Sequence, residues 1–282
     1  MSSRCRSLAL LLVLPVLPVL LAGGPAREPP RVLRVCADPN NLPFSNEKGE
    51  GLENRIAAVV ARELGATVSY MWWPQRRGFV RNTLNAGRCD VIMGVPATDG
   101  MVLTTAPYYA STYVFLARRD SGLHISSFDD PVLRRVRIGI HLIGDDYTNP
   151  PPAHALGRRG IARNVKGYTL YGDYSKPNPP ARLVDAVAKG EVDVAILWGP
   201  FAGYFAPREG VPMTITPVSP RLDPPGLPFV FRISLGVRHD DQALKAELEH
   251  ALTRRRSEIH RILRDFGVPL VDNTEAACAG PC

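Results

Sequence analysis

The strongest constraint on the fold of this chain is a regular alternation of strand and helix patterns that begins near residue 32. Strand patterns are short runs of apolar and β-branched residues, and helix patterns place apolar residues three and four positions apart. In the first hundred residues, strand patterns cover 32–37, 67–72 and 90–95, and helix patterns cover 52–64 and 79–86. This order predicts an α/β unit whose strands run mostly parallel.

A second α/β set follows and is enclosed by the first. Its strand patterns cover 136–140, 168–171, 192–198 and 213–218, and its helix patterns cover 152–159 and 180–189. A strand pattern over 113–118 leads out of the first set, and one over 229–237 leads back to it. A last helix pattern covers 241–266. We therefore expect two lobes joined by a two-strand hinge. Lobe 1 is placed at 27–117 and 231–282, and the inserted lobe 2 at 118–230. The carboxyl ends of parallel strands converge at the cleft between them, which is the expected ligand site.

The first 26 residues have the order of a secretory signal. Arg4 and Arg6 precede an apolar run over 8–21, and small residues follow up to Ala26. The alternative is an uncleaved anchor helix, but the run contains two prolines and is short for a span of about 20 residues. We expect export to the periplasm, with residues 1–26 removed as a signal peptide and no membrane attachment afterwards.

Composition narrows the function classes. The net charge is +7, or about +5 without the two signal arginines, and the basic residues are dispersed apart from a run over 254–256. That run is interpreted as a solvated helix face, so no nucleic-acid partner is expected. No G-x-S-x-G, HExxH or phosphate-binding loop occurs, and cysteines and histidines lack metal-ligand spacing. The sequence therefore predicts no catalytic residues, no metal, no cofactor and no enzymatic activity.

Several short elements resemble the periplasmic solute-binding proteins of the polar-amino-acid type. These are Asp38-Pro39, Pro43-Phe44, the glycines at 49 and 51, the run over 87–92 and the run over 106–109. A narrower resemblance is carried by three motifs together. Asp38-Pro39-Asn40-Asn41, Trp72-Trp73-Pro74-Gln75 and Gly94-Val95-Pro96 look like the MxaJ/XoxJ-like proteins associated with quinoprotein methanol dehydrogenases. The resemblance implies the two-lobed type II periplasmic binding protein fold.

The resemblance also implies a function. It points to a periplasmic accessory protein that binds a PQQ-dependent methanol dehydrogenase and assists its maturation or activation. The first alternative is the substrate-binding protein of an ABC transporter for a small solute. The second is an enzyme on the same scaffold, similar to cyclohexadienyl dehydratase. Thr98-Asp99-Gly100-Met101 stands where the amino-acid binders have a T-x-x-R element, whose arginine clamps a carboxylate. Because Asp99 would repel a carboxylate, a free amino acid is not the expected ligand.

The candidate residues for contact with a ligand or partner are those that the topology places near the cleft. They are Asp38, Asn40, Trp73, Gln75, Gly94, Thr98, Tyr108, Asp145, Trp198 and Tyr204. Asp38 has the alternative role of a turn former, and Asp145 that of a helix cap in a solvated loop. The aromatic residues have the alternative role of core or cleft lining.

Four cysteines remain once Cys5 leaves with the signal, an even number that suggests disulfides in an exported chain. In the implied fold, the strands that carry Cys36 and Cys89 are neighbours in a 2-1-3 order. Their Cα atoms can then approach the roughly 5.5 Å that a disulfide needs, so we predict this pair. Cys278 and Cys282 are predicted to close a second, short loop in the tail.

Overall fold

The protein is described here by a computed structural model that covers residues 30–142, 149–170 and 174–272. Its strands are β1 (Arg31–Ala37), β2 (Asn40–Asn41), β3 (Ser45–Asn46), β4 (Ala66–Trp72), β5 (Val91–Pro96), β6 (Leu103–Thr104), β7 (Tyr109–Arg118), β8 (Ile138–Leu142), β9 (Val165–Thr169), β10 (Val194–Trp198), β11 (Met213–Pro217), β12 (Leu222–Asp223), β13 (Leu227–Pro228) and β14 (Val230–Val237). Its α-helices are α1 (Leu52–Glu63), α2 (Phe79–Asn82), α3 (Pro151–Arg158), α4 (Arg182–Ala188), α5 (Gly199–Phe205), α6 (Gln242–Arg254) and α7 (Arg256–Asp265).

Ten of the described strands form the sheets of a two-lobed α/β fold, and β2-β3 and β12-β13 are separate two-stranded hairpins. In lobe 1 the order is β4-β1-β5-β14, with β6 also on β14. In lobe 2 the order is β11-β7-β10-β8-β9. β1 runs parallel to β4 and β5, and β8 runs parallel to β9 and β10, whereas the pairs made by β7 and β14 are antiparallel. The predicted two-lobed fold with its 2-1-3 strand order is confirmed.

Two neighbouring strands, β7 and β14, carry the chain between the sheets. Residues 109–112 of β7 pair with β14, and from Tyr113 onwards β7 pairs with β10 and β11. β7 therefore changes sheet between Thr112 and Tyr113, which places the crossing in the first half of the strand. The lobe limits at 117/118 and 230/231 stay a prediction.

Helix α1 and the C-terminal helices cover one face of the lobe 1 sheet. Leu52, Ile56 and Val60 of α1 have no exposed surface, and they share a core with the apolar side chains of α6 and α7. The prediction of a single helix over 241–266 is wrong, because the chain leaves helical geometry at Arg255 (φ −101°, ψ 13°). Both halves contact α1, and Glu63 of α1 accepts from Arg254 and Arg255 at 2.8 and 2.6 Å. The break lets α6 and α7 each turn an apolar face to α1.

Two other helices differ from the sequence prediction, and particular side chains explain both differences. The helix predicted over 79–86 ends at Asn82, because the Thr83 hydroxyl donates to the carbonyl of Phe79 at 2.7 Å and the backbone leaves the α region there. Such side-chain bonds to the backbone compete with helix propagation. Helix α5 was not predicted. It begins directly after β10 with Pro200 in its first turn, where a missing N–H does no harm.

A disulfide joins β1 to Cys89, two residues before β5. The Cα atoms of Cys36 and Cys89 are 5.6 Å apart, and both residues are buried in a small core on the face of the sheet opposite α1. The predicted pair is confirmed. Cys278, Cys282 and the predicted signal peptide lie outside the described residues. None of the helices in the described part of the chain is long and apolar enough to cross a membrane.

The first testable prediction concerns this disulfide. The two cysteines are 53 positions apart, so breaking the bond frees a long loop in the unfolded chain. We expect the double variant Cys36→Ala/Cys89→Ala to lose about 4 kcal/mol of unfolding free energy in chemical denaturation. The matched control, Cys278→Ala/Cys282→Ala, removes the tail pair and should lose less, because a short loop constrains the unfolded chain less. Two free thiols at positions 36 and 89 in mass mapping of the non-reduced protein would contradict the assignment.

Candidate functional site

A cavity of about 320 Å³ lies where the carboxyl ends of strands from both sheets meet. Gln75 follows β4, Gly94 lies near the end of β5, and Trp198 ends β10. The position is the one that the sequence predicts for a cleft between the lobes. The described residues that line the cavity are Asn41, Phe44, Glu53, Gln75, Gly94, Pro96, Tyr109, Tyr113, Pro151, Leu170, Trp198, Phe201, Phe231 and Ile233.

Aromatic rings form much of the cavity wall. The rings of Tyr113, Trp198 and Phe231 meet edge to face, with centroids 5.4 to 6.2 Å apart. Phe44 and Phe201 form a second edge-to-face pair at 5.2 Å. The five rings come from distant parts of the chain, so this wall forms only when the protein folds. Edge-to-face contacts of this kind fix ring orientation and present π faces to a ligand.

Glu53 brings a carboxyl group into this apolar cavity. It lies in the first turn of α1, and its side chain has no hydrogen-bond partner among the described residues. The carboxyl group fits because position 94 is glycine, where a Cβ atom would overlap Glu53 Oε1. Burial raises the pKa of Glu53 to about 8, and the negative charge of Asp38 acts in the same direction. Glu53 is therefore mostly protonated at neutral pH when the cavity is empty.

Two other polar side chains, Asn41 and Gln75, lie on the same wall. Asn41 Nδ2 donates to Gln75 Oε1 at 3.1 Å, whereas Asn41 Oδ1 is buried and has no partner. None of the described residues that line the cavity is Lys or Arg. In the same ranges, no three His, Cys, Asp or Glu side chains are placed to hold a metal ion. The cavity thus presents acceptors without a basic group to hold a carboxylate.

Asp38 and Asn40 join the two lobes at one edge of the cavity. Asp38 accepts from the backbone N–H groups of Asn40 (2.8 Å) and Gln75 (2.6 Å) and from the Tyr174 hydroxyl (2.8 Å). Asn40 Nδ2 donates to the carbonyl of Lys176 at 2.8 Å, and Asn40 Oδ1 accepts from the N–H of Asn178 at 3.2 Å. The bond from Asn40 N to Asp38 is the one that the turn interpretation predicts.

A second contact between the lobes is made by α5 and the end of α7. Gly203 lies so close to Gly267 that a Cβ atom at 203 would overlap the Gly267 carbonyl. Tyr204 follows Gly203 and Phe266 precedes Gly267. Their rings stack with centroids 5.4 Å apart and an interplanar angle of 14°. The lobes are therefore connected outside the hinge by a close backbone approach and by ring stacking.

The structure brings together only some of the candidate residues predicted from sequence. Gln75, Gly94 and Trp198 line the cavity, and Asp38, Asn40 and Tyr204 join the lobes beside it. The other described candidates lie away from the cavity lining. The Trp73 ring lies under Arg88 near the disulfide, and Thr98 is exposed after β5. The buried Tyr108 hydroxyl donates to the Met93 carbonyl. Asp145 lies outside the described residues. A role in ligand or partner binding stays a prediction for all of them.

Sequence reasoning missed Glu53, Asn41, Tyr109 and Phe231. Tyr109 begins β7 directly after Tyr108, and both rings pack in the lobe 1 core 5.0 Å apart, so which of them borders the cavity could be read only from the three-dimensional structure. Glu53 resembles an ordinary first-turn acid of a helix. The signal that could have found it is Gly94, which the sequence analysis singled out and whose missing side chain makes room for the carboxyl group.

Comparison with known proteins gives a consistent set of relatives. The sequence profile of the bacterial extracellular solute-binding proteins, family 3, matches residues 33–267. Protein MoxJ of Methylorubrum extorquens is 34% identical over 257 residues, which are 89% of this chain and 85% of that protein. The periplasmic binding protein XoxJ of Methylobacterium extorquens AM1 is 36% identical with a TM-score of 0.69, covering 86% of this chain and 100% of that one. MxaJ of Methlophaga aminisulfidivorans MPT has a TM-score of 0.74 at 28% identity, covering 85% and 100%.

The second prediction tests the buried carboxyl group. Because the folded-state pKa of Glu53 lies above the unfolded value near 4.5, the group destabilises the fold progressively as the pH rises from about 4.5 to about 8. We expect Glu53→Gln to equal the parent protein near pH 4.5 and to be more stable at pH 8, by up to about 5 kcal/mol. Denaturant unfolding across this pH range measures the difference. Glu47→Gln, at an exposed position, should follow the parent, and a Glu53→Gln curve parallel to the parent would contradict the raised pKa.

The third prediction tests the close approach of α5 to α7. In Gly203→Ala the added methyl group would overlap backbone, which has no room to move aside. We expect the lobes to separate at this point, with a larger radius of gyration in small-angle scattering and a lower melting temperature. Gly210→Ala is the matched control, because a Cβ atom there meets no other atom within 4 Å. Unchanged scattering and melting for Gly203→Ala would mean that this contact does not hold the lobes together.

Proposed function

Because the chain belongs to the bacterial extracellular solute-binding proteins of family 3, and within them is MxaJ/XoxJ-like, we propose that it is a periplasmic accessory protein of methanol oxidation. In this role it binds a PQQ-dependent methanol dehydrogenase and assists its maturation or activation. The observation that carries the proposal is the similarity to MoxJ, MxaJ and XoxJ over nearly the whole described chain.

The cavity supports a binding role. Asp38 makes three hydrogen bonds within the fold, and Glu53 is a single carboxyl group without a hydrogen-bonded base or nucleophile beside it. The lack of a basic residue on the described cavity wall also disfavours free amino acids as ligands. Transport of another small solute is the alternative role that this cavity suits.

The surface beside the cavity offers a contact site for an acidic partner. Arg76 and Arg77 are exposed and directly follow Gln75, which lines the cavity. Arg76 also lies over the ring of Tyr174 at 5.6 Å, so it is held at the line where the two lobes meet. A partner that rests on this rim would contact both lobes at once. Positive charge at such a rim accelerates association with an acidic surface.

The fourth prediction tests direct contact. In surface plasmon resonance against the cognate methanol dehydrogenase, we expect an affinity on the order of micromolar that falls as salt is added. The double variant Arg76→Glu/Arg77→Glu should weaken binding about tenfold or more, because it reverses charge at the rim.

The control for this experiment is Arg135→Glu/Arg163→Glu, with the same change in charge. These two exposed arginines precede the amino ends of β8 and β9, at the edge of the lobe 2 sheet away from the cavity. Equal loss of binding in both double variants would mean general attraction without a defined site. No signal at tens of micromolar of folded protein in low salt would remove the direct-contact proposal and favour the transport role.

A further inference from the structure

One acidic side chain on the cavity wall has no partner. The Glu53 carboxyl group lines the cavity and makes no hydrogen bond to the described residues. A carboxyl group that faces a cavity without a protein partner is complemented by a ligand that donates. A primary ammonium group has three donors and no acceptor, which suits this carboxyl group.

Charge near the cavity selects the same kind of ligand. Glu53 lies on the wall and Asp38 is close enough to raise its pKa, while Lys and Arg are absent from the described lining residues. In a site of low polarity, an unbalanced negative group attracts a cation more strongly than it would in water. An anionic or zwitterionic ligand would instead bring a carboxylate towards two acids without a compensating arginine.

The rest of the cavity suits the hydrocarbon part of such a cation. Tyr113, Trp198 and Phe231 present ring faces and edges to the cavity, and Phe44 and Phe201 add a second pair. Aromatic faces bind both alkyl groups and ammonium groups favourably. A volume of about 320 Å³ limits the occupant to a small molecule.

We propose that this cavity binds a small protonated primary amine that carries no carboxylate. Its ammonium group donates to the Glu53 carboxylate, and its hydrocarbon part packs against Trp198, Tyr113 and Phe231. The proposal is independent of the dehydrogenase partner, since it rests on the cavity alone.

Proton linkage gives this proposal a specific signature. The titratable groups that face Glu53 are Asp38 after β1, Tyr70 on β4, and Tyr108 and Tyr109 next to and at the start of β7. Burial raises the pKa of each of the three tyrosines, so they stay neutral, and Glu53 with its pKa of about 8 is the group that ionises. Amine binding near pH 7 should therefore release close to one proton, and affinity should rise about tenfold from pH 6 to 7 and about fivefold from pH 7 to 8.

The experiment is calorimetry of the full chain with n-butylammonium, 1-butanol and norvaline. 1-Butanol keeps the hydrocarbon part but lacks the charge, and norvaline is the same amine with a carboxylate added. We expect n-butylammonium to bind with a Kd on the order of 0.1 mM and the other two at least tenfold more weakly. Titrations in buffers with different ionisation enthalpies measure the proton release.

Variants identify the residue responsible. Glu53→Gln should weaken n-butylammonium binding at least tenfold at pH 8 and abolish the pH dependence. Gly94→Ala reaches the same group indirectly, because its methyl group would displace the Glu53 carboxyl group while leaving the charge in the chain. Glu47→Gln, at an exposed position, should bind like the parent protein.

The outcomes are decisive in both directions. Preferential binding of n-butylammonium with proton release, lost in Glu53→Gln, supports the proposal. Equal binding of 1-butanol would mean that the cavity does not recognise the positive charge and would contradict the proposal. Equal binding of norvaline would mean that a carboxylate is tolerated, so the proposed ligand class would be wrong. No heat from n-butylammonium at millimolar concentration with a protein that melts cooperatively would overturn the proposal. None of these outcomes changes the result expected in surface plasmon resonance against the methanol dehydrogenase.

Discussion

The rest of the structure depends on one strand, β7, which is shared by both sheets. Its first four residues complete the lobe 1 sheet against β14, and its remaining residues lie between β11 and β10 in the lobe 2 sheet. Tyr109 packs in the lobe 1 core, while Val114 and Phe115 pack on opposite faces of the lobe 2 sheet. Because the hydrogen-bond ladders of both lobes run through this strand, the two cores cannot form independently of it. The cavity is lined where β7 leaves one sheet for the other.

The chemistry of the cavity follows from how the lobes are joined around it. Asp38 is the acid that follows β1, but its oxygens are occupied by two backbone N–H groups and by Tyr174 of the facing lobe. It therefore acts as a connection between lobes. Glu53 is left as the unpaired acid, and Gly94 provides the space for its carboxyl group. The carboxylate at the end of β1 thus serves the structure, and in our proposal Glu53 serves recognition.

Much of the fold could be predicted from sequence because its signals are local. The apolar runs of β1, β4, β5 and β10 specify strands, and the order of elements specifies two lobes. The prediction of the last helix failed because a tertiary contact determines where that helix ends. Arg255 pairs with Glu63 of α1 at the break between α6 and α7. The candidate site was less predictable, since its lining depends on strand register at Tyr108 and Tyr109 and on an empty space at residue 94. Neither is encoded by periodicity.

The ring of Trp198 has an optical consequence. The chain has three tryptophans, and Trp72 and Trp73 lie at the end of β4, where one stacks on Tyr70 and the other lies under Arg88. Trp198 alone among them lines the cavity, in edge-to-face contact with Tyr113 and Phe231. We therefore expect its fluorescence emission to respond to whatever displaces solvent from the cavity, since the other two tryptophans do not line it. The fold thus contains its own spectroscopic reporter of occupancy, and no label needs to be attached.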